Sequence, residues 1–482
     1  MVNGKNVITQ EGVKEVIKKA NLSTENKKEI MKDIEDRAQK ERTMKLSIKE
    51  GSFSSVMSGF GDSYISPYAL SLNASASQVS FLSSFSGLLS PIAQIFGSKL
   101  MEKYPRKKLV VFSVFFHALM WIPIALLSLL MWKGLLVNSL PIILIIFYSI
   151  YGIFGALASP AWFSLLGDVV PESIRGRYFS KRNRICNSIA LICTLGASFI
   201  LDLAKTRGFI LLAFSTLFLI ASITRFISCY FFTKHYDPEF KLEKGYYFSF
   251  WQFIKKAPFN NFGKFTIYIG LMNFAVNVAG PLFTVYMLRD LKFSYLTFTV
   301  VNISATLVTL LLLPLCGRIS DKYGNRQLLK LGTIIVPILP ALWIFSKEPL
   351  YLILVPQLLS GVGWAAFNFA TSNFIYDTVT PQRRGICVAY YNLVGGIGTF
   401  LGCAVGGILV QYLNISFMNV ILFIFLISTV LRFIVALVMM PLIKEVRPVS
   451  NFDTHLIFRS LNMTRGIFDG LGTIRKKFSH HK

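Results

Sequence analysis

Along this chain an apolar run recurs twelve times, each long enough to cross about 30 Å of hydrocarbon. The runs fall at 53–72, 78–100, 107–132, 138–166, 182–203, 207–233, 262–288, 293–316, 327–346, 349–376, 385–412 and 416–443. In hydrocarbon a backbone must satisfy its own polar groups, so such runs can only be helices. The predicted fold is therefore all-α and integral to a membrane, with twelve spanning helices in two sets of six. Hydrophobic residues make up 53% of the chain and charged residues 15%, a balance foreign to soluble domains. The expected divisions are an N-terminal segment (1–52), a first bundle (53–233), a linker (234–261), a second bundle (262–443) and a basic tail (444–482).

The net charge of +26 is sorted by loop and not gathered into a nucleic-acid-binding face. Lys and Arg mark cytoplasmic loops. With the N-terminus inside, the inner loops hold clusters such as Lys103, Arg106, Lys107 and Lys108, or Arg175, Arg177, Lys181, Arg182 and Arg184. The outer loops hold only Lys133, Lys205, Arg207, Arg289, Lys292 and Lys347. Both termini are then cytoplasmic, in a multi-pass protein of the cell membrane. Residues 1–50 are Lys/Glu-rich and lack the apolar core of a cleavable signal peptide. In the tail, Leu456, Ile457, Leu461, Ile467 and Phe468 recur at helical spacing among Arg459 and Arg465, which suits an amphipathic helix on anionic lipid. The six cysteines lie in or at the ends of the apolar runs, and none has metal-ligand spacing.

A pattern repeats within the chain. Asp168, six residues, Arg175-Gly176, six residues and Asn183 recur as Asp377, Arg384-Gly385 and Asn392, with an offset of 209. Phe218 to Arg225 likewise matches Phe425 to Arg432, and Gly97 with Arg106 matches Gly317 with Arg326. The matches pair run 2 with 8, 4 with 10 and 6 with 12 in the same orientation, the mark of parallel repeats in secondary transporters.

The stretch Gly317-Arg-Ile-Ser-Asp321-Lys322-Tyr-Gly324-Asn-Arg326 resembles the signature loop of the major facilitator superfamily. The first-half copy is degraded: Met101 stands at the acid's place and Tyr104 at the second glycine's, with Glu102 one place along. The resemblance covers residues 53 to 443. It implies two six-helix bundles around a central cavity, rocking to expose a site to either side, and a monomer. It also implies a cytoplasmic latch in which Asp321 faces Lys181, Arg182 and Arg184 at the start of helix 5, and Glu102 faces Arg383 and Arg384 at the start of helix 11. A helix N-terminus is worth roughly 0.3–1 kcal/mol to a nearby anion. The competing reading is that these charges only set topology.

Ionisable groups at membrane depth are candidates for function. Asp62 lies in Gly59-Phe-Gly61-Asp62-Ser-Tyr64-Ile-Ser66-Pro67-Tyr68, the most polar stretch of the twelve. It can take up a proton, bind a cation or substrate hydroxyl, or serve as a structural acid. In the family, helices 1, 4, 7 and 10 line the cavity. Besides Tyr64 and Tyr68, these offer Tyr148, Tyr151, Trp162, Asn273, Asn277, Tyr286, Gln357, Trp364, Asn368 and Asn373. Amides and aromatics suit hydrogen-bonding or amphipathic molecules; some are interhelical glue. The set contains no Arg or Lys, which argues against a dedicated anion carrier. Arg225 and Arg432 read as structural, with Asp168 and Asp377 as partners, and His117 as a packing residue. Asp202 is expected to face water or pair with Lys205 or Arg207. Gly398, Gly402 and Gly406 form a close-packing face on which the bundles could slide.

No G-x-x-x-x-G-K-[ST] loop is present, and no metal or other cofactor is expected. The expected function is secondary transport of a small organic solute, coupled to protons through Asp62, and not an enzymatic one. Efflux of amphipathic compounds is slightly favoured over uptake of sugars or metabolites. The alternatives are a non-transporting scaffold or receptor acting through its tails, and a membrane enzyme or lipid scramblase.

Overall fold

A computed structural model describes residues 24–238, 249–380 and 383–446. Among them every regular element is helical. The amphipathic tail and most of the linker's aromatic stretch lie outside the described residues. In chain order the helices are α1 (Thr24–Phe60, continued by Ile65–Ser71), α2 (Ala76–Leu100), α3 (Arg106–Trp132), α4 (Leu140–Val169), α5 (Arg175–Thr206) and α6 (Ile210–Thr233). The second half holds α7 (Asn261–Asp290), α8 (Tyr295–Tyr323), α9 (Asn325–Leu342), α10 (Pro349–Thr378), α11 (Arg384–Tyr412) and α12 (Val420–Leu442). A short linker helix, Phe250–Lys256, precedes α7.

Ten of these helices are long and apolar enough to cross a membrane. The two outside that set are α1 and α9. The first is polar over its early turns and broken at Gly61; the second is short and carries Pro337 and Pro340. The break in α1 has a local cause. A β-carbon on Gly61 would stand 2.5 Å from the Trp121 ring, so only glycine fits. A 3-10 turn, Asp62–Tyr64, follows and redirects the chain into Ile65–Ser71. Upstream, α1 runs without interruption through residue 52. Thr43, Ser47 and Glu50 share one face of it and are buried against α5 and α6.

The two halves meet unevenly. One apolar core, at the end away from the basic loops, is built from both: Tyr64, Trp121, Phe214 and Phe218 with Tyr286, Phe298, Trp343 and Phe425. At the basic end the core is divided into clusters that each belong to one half. Polar contacts reinforce the shared end. Asp202 accepts the backbone N–H groups of Tyr295 (2.6 Å) and Leu296 (2.9 Å), capping α8 from the other half. It therefore pairs with neither Lys205 nor Arg207, because an open helix N-terminus offers it two aligned donors. The Tyr64 hydroxyl donates to the Thr194 carbonyl (2.6 Å) and so accepts from Thr299 of α8 at 2.9 Å.

Along the middle, α2 and α11 touch through Gly87 and Gly396, and Ser84 donates to the Phe400 carbonyl at 2.8 Å. Gly398, Gly402 and Gly406 point elsewhere. β-Carbons there would overlap the carbonyl oxygens of Gly270, Phe274 and Val278 on α7. These glycines join two helices of one half, so they are not a surface on which the halves slide.

Asp202→Ala removes the cross-half cap, an interaction of about 0.5–2 kcal/mol at a helix N-terminus. Nitroxide labels on Asn73→Cys and Lys292→Cys, in far-end loops, should report longer distances in this variant by pulsed spin-resonance. An unchanged distribution would show that the closure does not depend on Asp202.

Candidate functional site

In the first half a chain of polar groups runs from the helix break to the basic end. Asp62 accepts hydrogen bonds from Ser58 (2.8 Å) in the last turn before the break and from Tyr151 of α4 (2.5 Å). Tyr151 stacks on Tyr148 and, with ring centroids 3.9 Å apart, on His117 of α3. The His117 Nδ1 accepts from Arg225 Nε at 3.2 Å, so that nitrogen carries no proton. Arg225 also donates to Ser54 (2.8 Å) and lies 3.9 Å from Glu50. Glu50 in turn holds Arg182 of α5 at 3.2 Å, and the Arg182 guanidinium covers the Trp162 ring at 4.8 Å. Two acids and two arginines thus alternate along one path. Asp168, the expected partner of Arg225, is instead bound by Arg106 at the end of α4.

Between the halves lies a cavity of about 680 Å³, lined by α2, α4, α7, α10 and α11. Asn273, Asn368, Trp364 and Asn392 contribute to its wall. Asn392 reaches across to α2, where its amide donates to Gln94 at 2.9 Å. Its repeat partner Asn183 is exposed on α5. Asn277 turns to α11 instead, donating to the Asn273 carbonyl and to Thr399. Tyr64 and Tyr68 are fully buried; the Tyr68 hydroxyl donates to the Ile124 carbonyl and accepts from Ser128, which makes it packing and not wall. Tyr286 is buried against Trp343 and Phe425. Asn373 is half-buried and lines none of these cavities.

A second cavity, about 260 Å³, lies inside the second half. Its wall includes Asn302, Gln357, Trp343, Trp364 and Arg432, so Trp364 borders both spaces. Arg432 is bound by Ser428 and by the carbonyls of Val336 and Val276, whereas Asp377 accepts from Asn325 at 2.6 Å. The expected Arg432–Asp377 pairing is absent, because each group finds a nearer partner. Arg432 thus borders this second cavity, whereas among the described residues the lining of the central one holds no Arg or Lys.

At the basic end the signature residues serve their own half. Gly324 has φ +86°, and a β-carbon there would overlap the Glu445 carboxylate. That carboxylate accepts the Arg326 N–H (2.7 Å), and Arg326 Nε donates to the Ile443 carbonyl (2.6 Å). In the first half the Arg106 guanidinium instead pairs with two acids, Asp168 and Asp237. Gly97 sets α2 tightly on α4, and Gly317 faces Phe369. Lys322 lies over Tyr323, and Arg384 over Tyr376. Arg175 donates to the Gly167 carbonyl, closing the end of α4. Gly176 and Gly385 face open space. Asp321, Glu102 and Arg184 are exposed, and Arg182 is turned into its own bundle toward Glu50. The expected Asp321–Arg182 contact is therefore not made in this conformation. Three contributors escaped sequence reasoning: Glu50, Glu445 and the cavity-facing side of Arg432. The period of Thr43, Ser47 and Glu50 was the one available signal for the first.

A family model described as the Major Facilitator Superfamily matches residues 51–278 and 265–465. The riboflavin transporter RibZ of Clostridioides difficile (strain 630) is 26% identical over 100 residues, 20% of this chain. The match spans only 22% of RibZ. Among solved structures, the nucleoside transporter NupG superposes with a TM-score of 0.59 at 16% identity, over 83% of this chain and 99% of that one. The xylose transporter XylE from E. coli, in a partially occluded inward-open conformation, gives 0.57 at 14% identity, over 85% and 98%.

Glu50→Ala leaves two buried guanidinium groups without their acid, which should cost about 3–5 kcal/mol. A large fall in melting temperature, partly recovered by adding Arg182→Gln, is the expected result; additive effects would show the pair is uncoupled. At the basic end burial, with Lys107 and Arg182 nearby, pushes His235 down to about 4. The unfolded chain then binds a proton near pH 6.5 that the folded chain refuses until about 4, so stability falls as pH drops through that window. His235→Phe should flatten this part of the melting-temperature profile, measured by differential scanning fluorimetry.

Proposed function

Because the chain belongs to the Major Facilitator Superfamily and is a multi-pass membrane transporter, we propose that it moves a small organic solute by alternating access, driven by protons taken up at Asp62. In this reading all twelve helices span the membrane and both termini are cytoplasmic. The basic end then faces inward, and the described conformation is inward-facing: joined at the outer end, divided at the inner one.

The observation that carries the reading is the turn Asp62–Tyr64. One end of this single turn binds α4 through Tyr151, and the other binds α8 of the opposite half through Thr299. Protonating Asp62 cancels the charge that the Tyr151 and Ser58 hydroxyls solvate. The turn is then free to shift, and Tyr64 moves with it, loosening the outer closure. Arg225 and Glu50 supply a polar route from this turn toward the cytoplasm. The central cavity accepts a solute among Asn273, Asn368, Asn392 and Trp364. Riboflavin, for which RibZ is named, is a ring compound with several hydrogen-bonding groups. Amides beside an indole suit that class of molecule. Export of amphipathic compounds of this kind is the favoured direction.

A solute that raises the melting temperature of the purified protein should drive proton movement in proteoliposomes carrying a pH-sensitive dye. Asp62→Asn should abolish the proton signal while the thermal shift persists. Proton movement that survives in this variant would refute the role of Asp62.

A further inference from the structure

Arg225 and Arg432 occupy matching places in the two repeats, but only the first is answered by an acid. Arg225 has Glu50 at 3.9 Å. Among the described residues no carboxylate stands within ion-pair distance of Arg432. The acids between Asn261 and Val446 are Asp290, Asp321, Glu348, Asp377 and Glu445, all at helix ends or in loops. Arg432, midway along α12, is 3% exposed.

Its hydrogen bonds are made to dipoles. Nε donates to Ser428 Oγ (3.0 Å), Nη1 to the Val336 carbonyl (3.0 Å) and Nη2 to the Val276 carbonyl (3.3 Å). The Val336 carbonyl is available because residue 340 is proline and lacks the N–H that would otherwise bond it. A guanidinium has five N–H donors, so these three bonds leave donors to spare. The full positive charge also remains uncancelled, at a depth where an ion is expensive without a counter-charge. The side chain borders the 260 Å³ cavity, where Asn302 and Gln357 supply amides and Trp343 and Trp364 supply ring faces. Gln357 ends a π turn, Ile353–Gln357, a local widening of α10 of the kind frequent at functional sites.

We propose that this cavity binds the carboxylate of a small aromatic organic anion, with Arg432 as its charge partner and Trp343 and Trp364 as walls for its ring. A carboxylate matches the guanidinium fork in geometry as well as charge. Gln357 and Asn302 orient it, and Trp364, shared with the central cavity, stands between the two spaces. As a site for the transported solute this rests on the transporter reading; as a binding site it does not.

The test uses the full-length protein in detergent at neutral pH, with phenylacetate and 4-phenylbutyrate as probes and their uncharged amides as controls. The acids should raise the melting temperature and quench tryptophan fluorescence, and the amides should bind at least about tenfold more weakly. Arg432→Gln, monodisperse by size exclusion, should lose that preference. If it does not fold, Gln357→Leu, which leaves the charge in place, should weaken acid binding severalfold. Equal binding of acids and amides, no acid binding up to about 10 mM, or full acid binding by either folded variant would overturn the proposal. Uptake of radiolabelled phenylacetate into proteoliposomes isolates the transporter reading: binding without uptake removes the role as cargo site and keeps the site.

Discussion

An arginine cannot shed its proton at any ordinary pH, so one folded into a bundle dictates what must stand beside it. In the first half that constraint organises three helices. Glu50 lies between Arg182 of α5 and Arg225 of α6, and α1 has to extend well toward the basic end to bring it there. His117, Tyr151 and Asp62 continue the same line of polar groups to the helix break. The second half meets the matching requirement at Arg432 with carbonyl dipoles, one of them released by Pro340. The two repeats share a topology and divide the electrostatics: one is balanced internally, the other retains a charge.

Much of this architecture could be read from the residues. The apolar runs, the repeated Asp-Arg-Gly-Asn pattern and the Gly317–Arg326 signature identify a parallel duplication of membrane helices. Asp62 stood out because an acid at that depth is rare. Glu50 did not, since hydropathy averages over all faces of a helix whereas burial concerns one. Thr43, Ser47 and Glu50 lie on a single face among exposed charges such as Lys45 and Lys49. Partner choice was also hidden. The sequence suggested Arg225 for Asp168, and the placement of α3 beside the end of α4 gives the acid to Arg106 instead. Repeat symmetry pairs Asn183 with Asn392, but one meets solvent and the other the central cavity.

Glycines set the closest approaches between helices, both within the second half and between the halves. At Gly398, Gly402 and Gly406 the backbones of α7 and α11 are in contact, a spacing that leaves no room for relative adjustment. Those two helices form one tightly packed unit of the second half. The halves meet at the shared apolar core and along α2 and α11, where Gly87 and Gly396 bring the backbones together, and polar contacts cross between them, including Asp202 on the start of α8, Tyr64 on Thr299, and Ser84 on the Phe400 carbonyl. Hydrogen bonds of this type exchange with water at little net cost, whereas a divided apolar core does not re-form without bringing whole faces together.

Gly324 and Glu445 tie the chain that leaves α12 to the first turn of α9. The second signature glycine is thereby coupled to a segment more than a hundred positions away, with Arg326 gripping the same stretch through the Ile443 carbonyl. A pull on the chain beyond Val446, whether from a lipid surface or a protein, arrives directly at the loop between α8 and α9. The signature loop is in effect the anchor point of a tether, and the bare face of its glycine is where the Glu445 carboxylate is held.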